Sequence, residues 1–467
     1  MYKIDFTKPC RIHFIGIGGI SMSGFAEYLH NIGFTVSGSD SQMSKITDHL
    51  TSLGIKVYFG QRPANITPDI KIIIYTAAIS KDNEEFLEAQ KNGIPMLNRA
   101  ELIGQLMRNF SDSIAVSGTH GKTTTTSMLS MLFMDADLDP TISVGGILES
   151  IGGNIRVGHS SHFITEACEY TNTFLEFYPT RSIILNIDED HLDFFKDLSD
   201  IRHSFHLFAK RLPENGQLFI NGEIEHYEEI TKDLKCQVFT YGIADPAYRK
   251  SDSSYDYAAD HISFDEMMNG SFDLYYKNQY VDHIELNALG LHNVSNSLPA
   301  IAIAMQAGIP MEKIKKTLST FQNSKRRFEY KGSIGGVKII DDYAHHPTEI
   351  TATLRAARAY PHNTLWCVFQ PHTYSRTKQH LKEFAKALSL ADKVVLADIY
   401  ASREKDPGDI SSRDLARELE LLKTDAHYFP CFDDIENFLL ENCMNGDLLI
   451  TMGAGDIVNV GESLLGL

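Results

Sequence analysis

Residues 113–134 read SIAVSGTHGKTTTTSMLSMLFM. Ser113–Ser117 has the apolar centre of a buried strand, and Thr125–Met134 reads as a helix. Between them lies a loop, Gly118, Thr119, His120, Gly121, Lys122, Thr123 and Thr124. A strand–loop–helix context makes a phosphate loop credible. Backbone N–H groups would wrap the β- and γ-phosphates of ATP, Lys122 would neutralise charge on the γ-phosphate, and the Thr123 hydroxyl would ligate Mg²⁺. The spacing is a variant of GxxxxGK[ST], because Val116 stands where the first glycine of that motif would be.

Nucleotide-bound magnesium wants oxygen ligands, including one or two carboxylates. Glu166 ends an expected strand, His162–Glu166, and the run NIDEDHLD (186–193) follows another, Ser182–Asn186. Ligands of open parallel sheets gather at the carboxyl ends of strands. Three such ends would carry the phosphate loop, Glu166 and the segment from Asn186 to His191. Taken singly, Glu166 reads equally well as a surface acid and His191 better as an ordinary packed histidine. Their shared placement is what raises both.

Upstream, RIHFIGIGG (11–19) reads as a strand entering a glycine turn at Gly16, Gly18 and Gly19, with a helix over Ser21–Ile32 closed by Gly33. A second strand, Phe34–Gly38, ends at Ser39 and Asp40, where a carboxylate can accept hydrogen bonds from ribose hydroxyls. Ser21 takes the place of a third glycine, so a nicotinamide dinucleotide and a ligand-free tight turn both stay open. Lys71–Tyr75 and Ile94–Leu97, separated by a helix over Glu84–Asn92, continue a βαβ rhythm and hence a mostly parallel sheet.

Breaks near Met107–Asp112 and Gln322–Arg327 divide the chain into segments 1–108, 109–322 and 323–467. Asp245–Glu285, rich in Tyr, Asp, Ser and Asn, suggests hairpins and surface loops, and Leu298–Ala307 a buried helix. In the last segment Val337–Ile340, Leu365–Phe369, Val394–Asp398 and Leu448–Met452 are expected strands. DDYAHHPTE (341–349), QPHTYSRT (370–377) and GAGD (453–456) follow three of them. Strand ends carrying His, Tyr and Arg together suit a small polar substrate. Arg326 and Arg327 could reach nucleotide phosphates. The His345–His346 pair could instead bind zinc, but no cysteine or HExxH context supports it.

Of 467 residues, 43% are hydrophobic and 22% charged, an ordinary globular balance too long for one core, with a net charge of -18. No Lys/Arg run offers a nucleic-acid face. No apolar stretch approaches the roughly 18 residues of a membrane span. The start, MYKIDFTKPC, lacks the pattern of a signal peptide. The six cysteines form no CxxC pair and are expected as reduced thiols. A cytoplasmic protein without membrane insertion is expected.

The ordered series GIGGISMSG, GTHGKTTT, EACEY, LNIDEDHLD, GLHNVSN, RRF, DDYAHHPTE, QPHTYSRTK and MGAGD resembles the Mur ligases from about Ile12 to Asp456. The resemblance implies an α/β protein of three domains: Rossmann-like, P-loop-type with a mostly parallel sheet, and Rossmann-like. It implies ATP-driven joining of L-alanine to the carboxylate of UDP-N-acetylmuramate through an acyl phosphate, in peptidoglycan precursor synthesis; a monomer or weak homodimer is expected. By the same likeness Gly16, Gly18, Gly19, Ser39 and Asp40 hold the UDP-sugar, which displaces the nicotinamide reading. Glu166 and His191, with Thr123, match magnesium ligands. Asn186, Asn293, Asn296, Arg327 and Asp341 match the ATP site. Tyr343, His345, His346, His372 and Arg376 match the amino-acid region.

Two departures stand out. Cys168 occupies a position where the family often has aspartate. The place of the carbamylated lysine found in some members falls near His206, with Lys210 the nearest lysine, so carbamylation is not expected. Three alternatives remain: a ligase adding a recycled peptide to the same sugar nucleotide, a nicotinamide-dependent oxidoreductase, and a nucleotide-dependent binding switch without ligase chemistry.

Overall fold

The computed structural model describes residues 2–76, 79–192, 194–250, 254–402 and 404–467, so Asp193 of the acidic run lies outside the described residues. The chain forms two compact units. One comprises Met1–Asp190, Phe194–Tyr241 and Ile303–Ile309; the other comprises His191–Asp193, Gly242–Ala302 and Pro310–Leu467.

The first unit holds two sheets. The amino-terminal one has five parallel strands in the order Lys56–Phe59, Thr35–Asp40, Arg11–Ile15, Ile72–Tyr75, Met96–Asn98. Its central strand is buried from Ile12 to Ile15, as a parallel strand covered on both faces requires. The chain winds outward from Arg11–Ile15 on one side and then on the other. That reversal leaves a crevice at the carboxyl end of the central strand, where the glycine turn lies. Lys56–Phe59 was not foreseen, because KVYF is short and only partly buried.

The other sheet of this unit runs Gln237–Ile243, Gln217–Asn221, Arg181–Ile184, Asp112–Ser117, His162–Ala167, Thr141–Leu148, Gly153–Arg156. Only the last pair is antiparallel. Every residue of Asp112–Ser117 is buried, and its two neighbours are the strands that end at Ala167 and Ile184. The phosphate loop, Glu166 and the segment after Ile184 therefore share one sheet edge. Glycines let the layers close: a Cβ on Gly24 would lie 2.5 Å from the Ile155 side chain, and one on Gly104 1.8 Å from the Glu176 carbonyl oxygen.

In the second unit the stretch expected as loops and hairpins is an antiparallel meander of Tyr257–Phe264, Asn269–Tyr276 and Gln279–Leu289. Its middle strand alternates buried and half-buried residues, the mark of a sheet covered on one face. The helix expected at Leu298–Ala307 begins earlier, at Leu291, and runs to Gln306 with Pro299 inside it. The carboxyl-terminal sheet has the order Glu329–Ile334, Val337–Asp342, Leu448–Met452, Leu365–Phe369, Lys393–Leu396, Asp425–Tyr428, antiparallel only at its first pair. Leu365, Cys367 and Phe369 face one core cluster, and Trp366 and Val368 the other, the period of two expected of a strand buried on both sides. The Trp366 indole N–H, desolvated there, donates to Asp447 at 3.0 Å.

No helix among the described residues is long and apolar enough to cross a membrane. All six cysteines are free thiols.

Candidate active site

The glycine turn needs its glycines for different reasons. Gly16 has φ +82, a conformation L side chains avoid, and a Cβ there would meet Thr76 at 2.8 Å. Gly18 has ordinary backbone angles, but a Cβ would stand 2.8 Å from Asp40 Oδ2. That oxygen accepts the Gly18 N–H at 2.8 Å. Helix Ile20–Asn31 starts with no side-chain cap, so its first N–H groups face the turn. Ser39, expected at the nucleotide, is placed otherwise. It is fully buried, its hydroxyl donates to Glu85 at 2.5 Å, and its carbonyl accepts the Gly16 and Ile17 N–H groups at 2.9 Å. Ser39 shapes the turn from behind.

The phosphate loop is held by neighbours on the same sheet edge. Gly118 has φ +142 and Gly121 φ +82, so both positions favour glycine. Gly121 precedes helix Lys122–Asp135, which also lacks a side-chain cap. Asn186, expected at the ATP site, binds the loop itself: its Oδ1 accepts the His120 N–H at 2.7 Å and its Nδ2 donates to the His120 carbonyl at 3.0 Å. Thr119 accepts the Asp188 N–H on its hydroxyl at 3.0 Å. His120 also faces Asp188 at 3.4 Å. Thr123 and Thr124, in the first turn, are buried.

Lys122 Nζ donates to the carbonyls of Gly118 at 2.5 Å and Thr119 at 3.0 Å, and to Glu169 at 3.0 Å. Burial opposes its charge, but Glu169, followed by smaller contributions from other neighbours, outweighs burial and raises its pKa above the ordinary range. Glu166 accepts the Gly145 N–H at 2.6 Å, and a Cβ on Gly145 would lie 2.6 Å from its other oxygen. Cys168 is a neutral thiol, pushed up to about 11 chiefly by burial and then by Glu169. Neither Gly145 nor Glu169 was singled out from sequence. The one available signal was the Gly145–Gly146 pair inside a strand-like run, which marks close backbone approach.

His191 stands in the left-handed region with φ 56 and is half-buried. Asn293 and Asn296 lie on the first turns of helix Leu291–Gln306, both buried. Asn293 donates to the Leu289 carbonyl at 2.9 Å and Asn296 to Asn293 at 3.2 Å. The two adjacent arginines divide their work. Arg326 is spent on structure, donating to Asp341 at 2.8 Å, the Gly455 carbonyl at 2.9 Å and the Gly453 carbonyl at 2.7 Å. Arg327 lays its guanidinium 5.3 Å from the Tyr343 ring centre. Asp341, expected at ATP, is fully buried between Arg326 and the Thr451 hydroxyl, which donates to it at 2.7 Å. Asp341 anchors the strand end and lies behind the surface.

Tyr343, His345, His372 and Arg376 come together. The His345 ring lies 5.4 Å from Tyr343 and 5.7 Å from His372, and Arg376 donates to His372 Nδ1 at 3.0 Å. His372 also stacks on Tyr400 at 5.8 Å. His346 does not join them. It is buried, precedes helix Pro347–Ala359, accepts the Thr348 N–H on Nδ1 at 3.4 Å and packs on His380. Its place in the helix cap explains why it differs from its neighbour in sequence. Glu404, unforeseen, accepts the Ser375 N–H at 2.9 Å at the start of helix Tyr374–Gln379.

A doubly wound sheet with a glycine turn, a phosphate loop on a second parallel sheet and a polar cluster on a third are the parts of a Mur ligase. Three family models match in order: the Mur ligase family catalytic domain over residues 11–111, the Mur ligase middle domain over 116–304, and the Mur ligase glutamate ligase domain over 326–455. The chain belongs to the Mur ligase family. It is 57% identical over 467 residues to a UDP-N-acetylmuramate–L-alanine ligase of Lachnoclostridium phytofermentans, covering 100% of both chains. It is 50% identical to the enzyme of that name from Clostridium botulinum, again covering 100% of both. Among solved structures, UDP-N-acetylmuramate–alanine ligase from Thermotoga maritima superposes with a TM-score of 0.79 at 27% identity, covering 98% of each chain. A murein peptide ligase from Psychrobacter arcticus shares the fold, with a TM-score of 0.71 at 23% identity and the same coverage.

Proposed function

We propose that this chain joins L-alanine to the carboxylate of UDP-N-acetylmuramate at the expense of ATP, with Mg²⁺, in peptidoglycan precursor synthesis in the cytoplasm. The observation that carries the substrate assignment is the 57% identity, end to end, to a ligase of that name. The nicotinamide oxidoreductase loses its ground with family membership, and a bare binding switch leaves the Arg376–His372 cluster without a task.

The three segments 1–108, 109–322 and 323–467 then take the UDP-sugar, ATP and the amino acid in turn, and the spans of the three family models support that division. The residues of the loop fit a nucleotide phosphate. Two glycines hold positive φ, the helix start is uncapped, and Lys122 is protonated beside it. Thr123, Glu166 and His191 would hold the metal, whose chemistry is to neutralise charge as a phosphoryl group moves.

The sugar carboxylate takes the γ-phosphoryl group of ATP and becomes an acyl phosphate; ADP leaves. Lys122 and the loop N–H groups lower the repulsion between the two anions. The ammonium of alanine gives one proton to a base or to solvent, the resulting amine attacks the acyl carbon, and phosphate departs with the C–O bond electrons while the nitrogen releases a second proton to leave a neutral amide. Arg376 would hold the amino-acid carboxylate. His372, whose Nδ1 accepts from Arg376, would orient that guanidinium.

The test is ADP release with UDP-N-acetylmuramate and either free L-alanine or the recycled tripeptide. Turnover with alanine is expected. Turnover with tripeptide alone would favour the recycling ligase.

A further inference from the structure

Glu85 is fully buried near the start of helix Glu84–Lys91, behind the glycine turn. A buried carboxyl group needs partners, and three other segments supply them. One oxygen accepts from the Asn65 amide at 2.5 Å. The other accepts from the Ser39 hydroxyl at 2.5 Å and lies 3.6 Å from His13 Nε2. His13, also fully buried, reaches the Ser37 hydroxyl through Nδ1 at 3.0 Å. The helix start is fixed as well. The Asn83 side chain accepts the Glu85 and Phe86 N–H groups at 3.0 and 3.1 Å and donates to Gln61 at 2.6 Å.

Two of these partners lead to the turn. The Ser39 carbonyl accepts the Gly16 and Ile17 N–H groups at 2.9 Å, so the tie from its hydroxyl to Glu85 holds the peptide on which the turn rests. Asn65 also donates to the Gly60 carbonyl at 3.0 Å, and the Gly60 N–H donates to the Asp40 carbonyl at 2.9 Å. Asp40 in turn accepts the Gly18 N–H at 2.8 Å. Glu85 thus braces the glycines by one route and Asp40 by another.

We infer that Glu85 is a positioning residue for the sugar nucleotide, setting the glycine turn and Asp40 at the spacing the ligand needs. This rests on the assignment of that turn to the UDP-sugar. Ligand-binding groups must be held to within about 0.5 Å by the shell behind them. Without the brace the turn and Asp40 drift apart. The loss falls on the sugar nucleotide and spares the phosphate loop, which stands on another sheet.

Initial rates of the full chain at varied UDP-N-acetylmuramate and at varied ATP read the effect. Glu85→Ala should raise KM for the sugar nucleotide about tenfold and change KM for ATP less than about twofold, with kcat falling less than the first KM rises. Glu85→Gln can accept from Asn65 and donate to the Ser39 hydroxyl oxygen, and should recover most of that loss. Asn65→Ala cuts only the route to Asp40, should raise the same KM about threefold, and serves if Glu85→Ala does not fold. An unchanged KM for the sugar nucleotide in the folded variants, or equal rises in both KM values, would overturn the inference. Gly18→Val fills the turn and tests the assignment beneath it. If that variant keeps a normal KM for the sugar nucleotide, the turn is not the sugar site and both readings fall. If it raises that KM while the Glu85 and Asn65 variants do not, only the inference falls.

Discussion

The side-chain amide of Asn186 grips the backbone of His120 from both sides, accepting its N–H at 2.7 Å and donating to its carbonyl at 3.0 Å. One side chain thus fixes the peptide at the crest of the phosphate loop. Asn186→Ala should loosen the loop and lower kcat/KM for ATP by about 10- to 100-fold, as loss of precise positioning does. Asn186→Asp keeps the acceptor and loses the donor, and should fall between. Steady-state kinetics at varied ATP would show it; an unchanged KM for ATP in Asn186→Ala would remove this clasp from the account.

Gly145 is the space in which Glu166 sits. A Cβ there would crowd a carboxylate oxygen at 2.6 Å, with no positive φ to add backbone strain. Gly145→Ala should push Glu166 aside while leaving the melting temperature nearly unchanged. The Mg²⁺ concentration needed for half-maximal activity should rise several-fold, about 3- to 10-fold, on the scale of a displaced metal ligand. A normal magnesium titration would show that Glu166 is not a ligand.

Arg326 and Arg327 should separate cleanly. Arg326 satisfies buried Asp341 and two glycine carbonyls, so Arg326→Ala leaves a buried carboxylate short of its partner and should cost about 3–5 kcal/mol of stability. Arg327→Ala removes a contact over Tyr343 that Arg326 shares, and a positive charge that acts on buried Asp342. Its melting temperature should fall less than that of Arg326→Ala, while KM for ATP rises. Thermal melts and nucleotide titrations together decide between the roles.

These arginines also show what the sequence could and could not tell. The pair was visible as RRF, but which member faces inward depends on Asp341, fourteen or fifteen residues on, and on glycines beyond residue 450. Ser39 and His346 were read by motif as ligand-facing. Their burial comes from Glu85 and from a helix cap, partners that adjacency does not reveal. The phosphate loop was legible because its strand, glycines and lysine are contiguous. The early start of helix Leu291–Gln306 was not, because GLHNVSN reads as a polar loop and Pro299 looks like a first-turn proline. The meander from Tyr257 to Leu289 was obscured by its half-buried face, since alternation with polar residues there resembles loop composition.

Asp342 makes stability depend on pH. Burial raises its carboxyl from an ordinary 3.8 to about 6, against the opposing pull of Arg327 and two backbone N–H groups. The folded chain holds this proton more tightly, so the stabilising contribution is full below about 3.8 and is lost as pH rises through about 6. The effect is at most about 3 kcal/mol. Asp342→Asn removes it. Relative to wild type, the variant should gain in melting temperature between pH 4 and 6.5; a constant difference across that range would contradict the shift.

The direct test of the central claim is mass-spectrometric detection of UDP-N-acetylmuramoyl-L-alanine alongside ADP, for wild type and Lys122→Ala. The two products should form in equal amounts with wild type, only when ATP, sugar nucleotide and alanine are all present, and neither should form with a folded Lys122→Ala. ADP formed without the amide, or undiminished amide from the variant, would contradict it.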